Sequence, residues 1–436
     1  MRNSRPPLMV WPAVSIALAM IVAAGSSSQA LAWGSHYLVT ARAIENSDLG
    51  CLQNQVRVES LDEFVKPEGE ELSSLFREYY LWLRDRGSKR FTAQGFDGRR
   101  PDVGQFIHAA RLNPKTQFPM GSRSLPNEPQ LALRMLHPNP AGPETLLPVS
   151  VGSQMQTGRV YLTYVDEPDW FMDFELFDNP DYGYGDRPYG NAHTESDKAP
   201  FHMQFWFENW LVKMFAGEIT QGMVPDRVEL FSRLASLAFR KGHPYWGFRF
   251  AAWALHYIQD LGQPYHAKAV PSANWFYYAK FVVSPEKARI KQETTQLVAN
   301  RHYAYEDFVT NALRHSYTDP KMAQFTDLAS QLRAEPAFFS SSVASPQALL
   351  LEAAKFSAGH AAALDAAVVQ AMGPHMTEDP GYDLEHDPSY QADAMVAQLN
   401  PQSAQALLTE TGADFSHVGR ATRSLLLALP YTPCTR

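Results

Sequence analysis

The segment His256-Tyr257-Ile258-Gln259-Asp260-Leu261-Gly262-Gln263-Pro264-Tyr265-His266 gathers three side chains able to bind a divalent cation. His256 and Asp260 are one helical turn apart, which sets their side-chain bases about 5–6 Å from each other. Gly262 and Pro264 then end the helix and turn the chain, so that His266 is presented beside them. Imidazole and carboxylate together suit zinc in a hydrolytic site. A bare His-x3-Asp is more often a structural pair, but a third group on the exit turn of the same helix reverses that preference. His302 and Glu306 repeat the device on a second helix. Val298, Tyr305, Val309 and Leu313 lie on the same broad face, so this pair also points inward.

Helices must do the positioning, because helical periodicity dominates wherever the chain is periodic. The spacing predicts helices over 36–46, 70–86, 201–216, 225–241, 246–261, 286–316, 345–371 and 415–429. The helix at 246–261 is apolar nearly all round, through Phe248, Phe250, Ala251, Ala252, Trp253, Ala254, Leu255 and Ile258. That marks a buried helix, and a buried Asp260 requires a hydrogen-bond network or a metal ion to offset its desolvation. Strand-like alternation is scarce, with 159–165 (Arg159-Val160-Tyr161-Leu162-Thr163-Tyr164-Val165) the main candidate. Two stretches read as long loops: an insertion from about 112 to 200, rich in Pro, Gly, Asn and Asp, and the acidic 373–390. The latter carries Glu378, Asp379, Asp383, Glu385 and Asp387 without an EF-hand pattern and reads as solvated. The expected fold is mainly α, a multi-helical core with long loop insertions.

The string HYIQDLGQPYHA resembles the central signature of the zinc-dependent phospholipase C and S1/P1 nuclease superfamily. So does Trp33-Gly34-Ser35-His36, placed just after an export signal. The resemblance implies a mostly helical single domain over 33–436 that binds three zinc ions. One ion would be held by His256 and Asp260 with an upstream Asp and His, and a second by His266, His302 and Glu306. The third would take His36 and the α-amine and carbonyl of Trp33, with Asp260 bridging to the first. An α-amine has a pKa near 8 and deprotonates readily onto a metal, so cleavage itself would complete the site. Chain order asks for the upstream Asp and then the His between residues 36 and 256. Asp169 and His202 are the chosen pair, with Asp166 and Asp173 as rival carboxylates and His108 and His193 as rival imidazoles.

Clustered zinc ions suit phosphodiester hydrolysis, since they lower the pKa of water and neutralise charge on the phosphoryl oxygens. Asp169 is the candidate to orient or deprotonate the attacking water. Glu306, where the nucleases tend to carry Asp, and Ala267-Lys268 after His266, where they tend to carry Gly-Gly, favour a phospholipase C acting on phospholipid at a membrane surface. A single-strand nuclease is the alternative, and an exported helical protein with structural zinc is the non-catalytic one. Asn274-Trp275-Phe276-Tyr277-Tyr278 either lines a substrate pocket or packs the rim. His243, His315, His360, His375, His386 and His417 have no partner at ligand spacing and read as structural or solvated.

Composition agrees with this class. Of 436 residues, 45% are apolar, enough for a large core and too many for a disordered chain. The formal charge of −8 and the absence of a basic run argue against a stable nucleic-acid partner. Residues 1–32 read as a signal peptide: Arg2 and Arg5, an apolar stretch from Leu8 to Gly25, and Ala30-Leu31-Ala32 as a small-x-small cleavage site. Pro12 interrupts that stretch, so it is not read as a membrane span, and no later segment resembles one. The mature chain is expected outside the cytoplasm, secreted or periplasmic. Cys51 and Cys434 are the only cysteines. An exported chain can keep one disulfide, and spacing alone does not decide whether they meet.

Overall fold

A computed structural model describes residues 36–45, 47–87, 95–113, 123–124, 147–170, 172–174, 176–177, 189, 198–215, 217–273, 275–319, 321–334, 345–430 and 432–434. The proposed signal peptide, Trp33 and His193 lie outside them. The first helices are α1 (His36–Ile44), α2 (Leu61–Val65), α3 (Gly69–Asp85), α4 (Val103–Ala109), α5 (Thr157–Tyr164) and α6 (Ala199–His202). The middle of the chain forms α7 (Trp210–Phe215), α8 (Val224–Arg240), α9 (Pro244–Leu261), α10 (Pro264–Ala267), α11 (Trp275–Val283) and α12 (Lys287–Thr318). It closes with α13 (Ala323–Ser330), α14 (Pro346–Met372), α15 (Pro374–Thr377), α16 (Ala392–Ala397) and α17 (Pro401–Ala428). Two small antiparallel ribbons complete the described elements. β1 (Gln55–Arg57) pairs with β4 (Gln154–Gln156), and β2 (Arg123–Ser124) with β3 (Leu147–Pro148). The fold is mainly α, as expected.

Helix α9 is the axis of the core. Pro244 opens it, where its missing N–H costs nothing, and the chain leaves it at Gly262. From Tyr245 to Leu261 every residue is buried, because α5, α8, α14 and α17 all pack on it. Gly262 is needed there: a Cβ on it would run into Val418 Cγ2 of α17 and sit 3.0 Å from Gln259 O. The close approach of α17 is what brings the α9–α10 corner, and with it His266, tight against the core.

Four expectations are corrected. Residues 159–165 form no strand but lie mostly in α5. Val160, Tyr161, Tyr164 and Val165 are buried at helical spacing against α9 and α1, so tertiary packing overrides the β-branched alternation. The helix expected over 201–216 is two, α6 and α7. Met203 is extended, and Gln204 N–H is drawn 3.0 Å to His266 O, outside any helical ladder. The stretch 112–200 is not one long loop, since α5 and a 3₁₀ turn at Glu167–Asp169 lie in its second half within the core. Nor is 373–390 only a solvated loop. Asn300 of α12 donates to Tyr382 O at 2.8 Å and accepts from Leu384 N at 3.2 Å, and Leu384 is buried against Ala304.

Cys51 and Cys434 form a disulfide, with Cα atoms 4.9 Å apart across 383 residues of sequence. It fastens the chain end beyond α17 to the 3₁₀ turn at Gly50–Gln53, which packs on α5.

Candidate metal centre

Arg249, Trp253, His256 and Asp260 are spaced four, three and four apart, so they form one stripe along α9. The first two anchor the 3₁₀ turn Glu167–Asp169. Arg249 Nε and Trp253 Nε1 donate to Glu167 Oε2 at 2.9 and 2.6 Å. Asp169, two residues on, is thereby held over His256 and Asp260. One α9 face thus both carries ligand-type groups and positions a distant one.

Around this stripe Asp169 Oδ1, His202 Nδ1, His256 Nε2 and Asp260 Oδ2 converge. His202 Nδ1 is 2.8 Å from Asp260 Oδ2, 3.0 Å from His256 Nε2 and 3.9 Å from Asp169 Oδ1. Each carboxylate turns its other oxygen towards His36. Asp260 Oδ1 lies 3.6 Å and Asp169 Oδ2 4.0 Å from His36 Nε2. The tautomers are set from behind. His256 Nδ1 donates to Val165 O at 2.8 Å, and His36 Nδ1 donates to Gln259 Oε1 at 2.9 Å. Gln259 is itself fixed, its Nε2 donating to Thr40 and Thr422. Both histidines therefore aim an Nε2 lone pair inward.

A second trio adjoins the first group. His266 Nδ1 donates to His202 O at 3.0 Å, leaving its Nε2 3.1 Å from His302 Nε2 and 3.3 Å from Glu306 Oε1. His302 Nε2 is 2.8 Å from Glu306 Oε1. At zinc–ligand bonds of about 2.0–2.1 Å, the edge of a coordination tetrahedron is about 3.3 Å, and the trio's spacings lie at or somewhat under it. Asp365 of α14 braces the trio from outside. It accepts from Tyr265 OH at 2.7 Å and from Arg301 Nη1 at 2.9 Å, the neighbours of His266 and His302.

Every one of these groups is buried, so their charges are set by one another. Burial alone would depress His202 and His266. Asp260 with Asp173 and Asp169 lifts His202 to about 10, and Asp260 with Glu306 lifts His266 to about 9. Burial, helped by the charge of His36, drives His256 down to about 3. For the carboxylates burial acts upward, but His302 and His266 pull Glu306 down to about 2. His256 and His202 hold Asp260 far below the carboxylate range. Lys198, with Nζ 3.3 Å from Asp169 Oδ1, leads the cations that keep Asp169 low. Yet His36 Nε2 and Asp260 Oδ1 are buried with no hydrogen-bond partner. Orphaned polar atoms in a dry interior are costly, and a cation among these nitrogen and oxygen donors would satisfy them. The residues fit a metal ion.

Eight of the nine expected ligand residues are thus brought together, in three groups of which the first two share His256: His36–His256–Asp260, Asp169–His202–His256 and His266–His302–Glu306. Trp33, the ninth, lies outside the described residues. Of the rival carboxylates, Asp173 is bound by Arg227 and Tyr257 behind His202, and Asp166 accepts from Tyr37 N–H. Burial pushes Asp166 up to about 7. His108 ends α4 and joins none of the groups. Reading along the sequence missed Lys198, Arg227, Gln259, Asp365 and Gln263, whose Nε2 donates to Glu306 Oε1 at 3.3 Å. Gln259 and Gln263 had a local signal, as polar residues in an apolar signature; the others meet partners more than 25 residues away. Beside His302 opens an apolar cavity lined by Met203, Phe205, Tyr277 and Val298, with Lys291 at its wall. No helix among the described residues is long and apolar enough to cross a membrane. Comparison of the chain with protein-family models, curated proteins and solved structures finds no match.

Proposed function

We propose that this chain is an exported zinc-dependent phosphodiester hydrolase of phospholipase C type, releasing diacylglycerol and a phosphorylated headgroup from glycerophospholipids. One observation carries the reading: eight buried His, Asp and Glu side chains, from His36 to Glu306, converge on one interior volume. A purely structural zinc is closed by four protein ligands, so this donor set exceeds what one such ion needs.

One ion would be held by Asp169, His202, His256 and Asp260, and a second by His266, His302 and Glu306. A third would be held by His36 and the Trp33 α-amine and carbonyl, with Asp260 shared. Bound zinc supplies water of lowered pKa and offsets the charge that builds on the phosphoryl oxygens. The chain's own groups do the rest. Asp169 orients and deprotonates the attacking water, and Lys198 beside it keeps the carboxylate ionised until then. Val165 O, Gln259 and His202 O hold three imidazoles in the tautomer that leaves Nε2 free. Asp173, fixed by Arg227 and Tyr257, sits 3.4 Å from the far side of His202. The apolar cavity at His302 and the phospholipase-like Glu306 and Ala267-Lys268 support a lipid substrate over a nucleotide.

The test is direct. The chain beginning at Trp33 should release diacylglycerol from phosphatidylcholine, stop on chelation and recover with zinc. Nucleotide release from single-stranded DNA or RNA would make it a nuclease. Bound zinc with no turnover of either would leave a non-catalytic zinc protein. Residues added ahead of Trp33 should impair the enzyme, because the α-amine would then be a peptide nitrogen.

A further inference from the structure

The described residues contain a second, smaller apolar core beside the main one. Leu211 and Val212 of α7 and Tyr278 of α11 meet in it with Tyr189, Met203, Phe205 and Ile219. Its inner side lines the cavity that reaches His302, through Met203, Phe205 and Tyr277. Large apolar side chains beside it are exposed. Trp210 is 65% exposed, Met214 57% and Phe207 36%, and Val283 at the end of α11 is 80% exposed. Trp210 and Met214, four residues apart, share one face of α7, and Phe207 lies on the chain just ahead of it.

Isolated exposed apolar residues need no explanation, but an exposed Trp and Met on one face of a six-residue helix, with an exposed Phe just ahead of it, do. While Leu211 and Val212 of α7 are buried, its Trp210 and Met214 stand in water. The charges around this patch are not those of the acidic chain. Residues 203–220 and 268–283 carry Lys213, Lys268 and Lys280 against Glu208 and Glu218, and Glu208 is buried beside Lys268 at 3.6 Å. Exposed lysines next to an aromatic and aliphatic edge match a layer with phosphates outside and hydrocarbon within. Trp is the side chain best suited to that boundary.

We infer that α7 and the end of α11 form a membrane-docking surface, which seats the protein on a phospholipid bilayer and leads lipid to the cavity at His302. This surface rests on the phospholipase reading above, and it commits to a bilayer rather than to a protein partner because its apolar patch is continuous, through one small core, with the cavity beside the metal centre.

The experiment uses the zinc-loaded chain beginning at Trp33, the double variant Trp210→Ser/Met214→Ser, and Leu351→Ser as a control. Leu351 is 49% exposed on α14, outside this lobe, so it tests for a general loss of surface apolarity. Binding is read by flotation with phosphatidylcholine vesicles. Hydrolysis is read on those vesicles and on a short-chain phosphatidylcholine below its micelle concentration. The double variant should lose vesicle binding about tenfold, as expected when two large apolar side chains no longer leave water. Its vesicle-to-monomer rate ratio should fall with it, and Leu351→Ser should change neither. Equal binding by wild type and double variant would overturn the surface, as would a rate loss shared by both substrates. If wild type floats and the double variant does not, yet neither lipid is cleaved, docking stands and the phospholipase reading fails. If wild type stays off vesicles and sediments as a dimer that the double variant breaks, a second copy covers the patch and the surface is overturned.

Discussion

The two ligand-bearing regions touch through His266, yet they are built on opposite plans. The His266–His302–Glu306 trio comes from one α9–α12 stretch, has donor spacings of 2.8–3.3 Å and leaves none of its atoms orphaned. The group around Asp169 and Asp260 draws on α1, the Glu167–Asp169 turn, α6 and α9, with spacings out to 4.0 Å. It also holds the two orphaned atoms that face the centre, His36 Nε2 and Asp260 Oδ1. The trio is a pre-formed cradle, whereas the larger group is a crowd of charges that closes only around something positive. Metal uptake should therefore order the larger group more than the trio.

Asp260 is where the plans meet, with Oδ2 on His202 and His256 and Oδ1 towards His36 and His266. Asp260→Asn should have the largest effect. Loss of metal and rate should exceed the roughly 10–100-fold typical of an outer residue. Metal analysis of the purified variant checks it; full occupancy of both regions would break the comparison outright.

His302→Ala separates them. It should remove the ion of the trio and leave the rest, so that zinc per chain falls by one rather than to zero. His256→Ala should empty the larger group instead. If either variant loses everything, the regions are one cooperative cluster.

The contrast also explains what could be read in advance. His256 and Asp260, and His302 and Glu306, sit on two helices whose apolar periodicity announces them, and His266 follows on the turn that leaves the first; all of these are local signals. Asp169 had to be chosen among three carboxylates, because its place depends on Glu167 reaching Arg249 across 82 residues. Lys198 and Asp365 carried no local signal at all, since each works by a contact formed only after folding. Helix α5 reads as a strand for the same reason: alternating Val, Tyr and Thr look like one until α1 and α9 surround them.

The outer ring should show the contrast at smaller scale. Gln259 supports only the larger group, by holding His36, so Gln259→Ala should weaken zinc there by about 10–100-fold and spare the trio. Equilibrium titration with a chelator, resolved by site, measures it. Removing Cys51 and Cys434 together should cost roughly 2–5 kcal/mol of stability, seen in denaturant unfolding, without changing zinc per chain. Loss of the ion from the trio in either variant would show that the regions share their support.

The last effect is on the metal-free chain and follows from protons. His202, lifted to about 10, and His266, lifted to about 9, hold protons in the fold that they would release when unfolded near pH 6.5. A raised pKa contributes stability that is complete below the unfolded value and is lost as pH climbs through the folded one. The metal-free Tm should therefore fall between about pH 6.5 and 10. His256, held down at about 3, acts the other way, costing stability as pH drops below 6.5. Zinc must displace the same protons, so its binding tightens as pH rises, and the loaded chain should lose the alkaline decline. Thermal melts with and without zinc across that range check the sign. If both forms decline alike, the charged histidines are not where the metal goes.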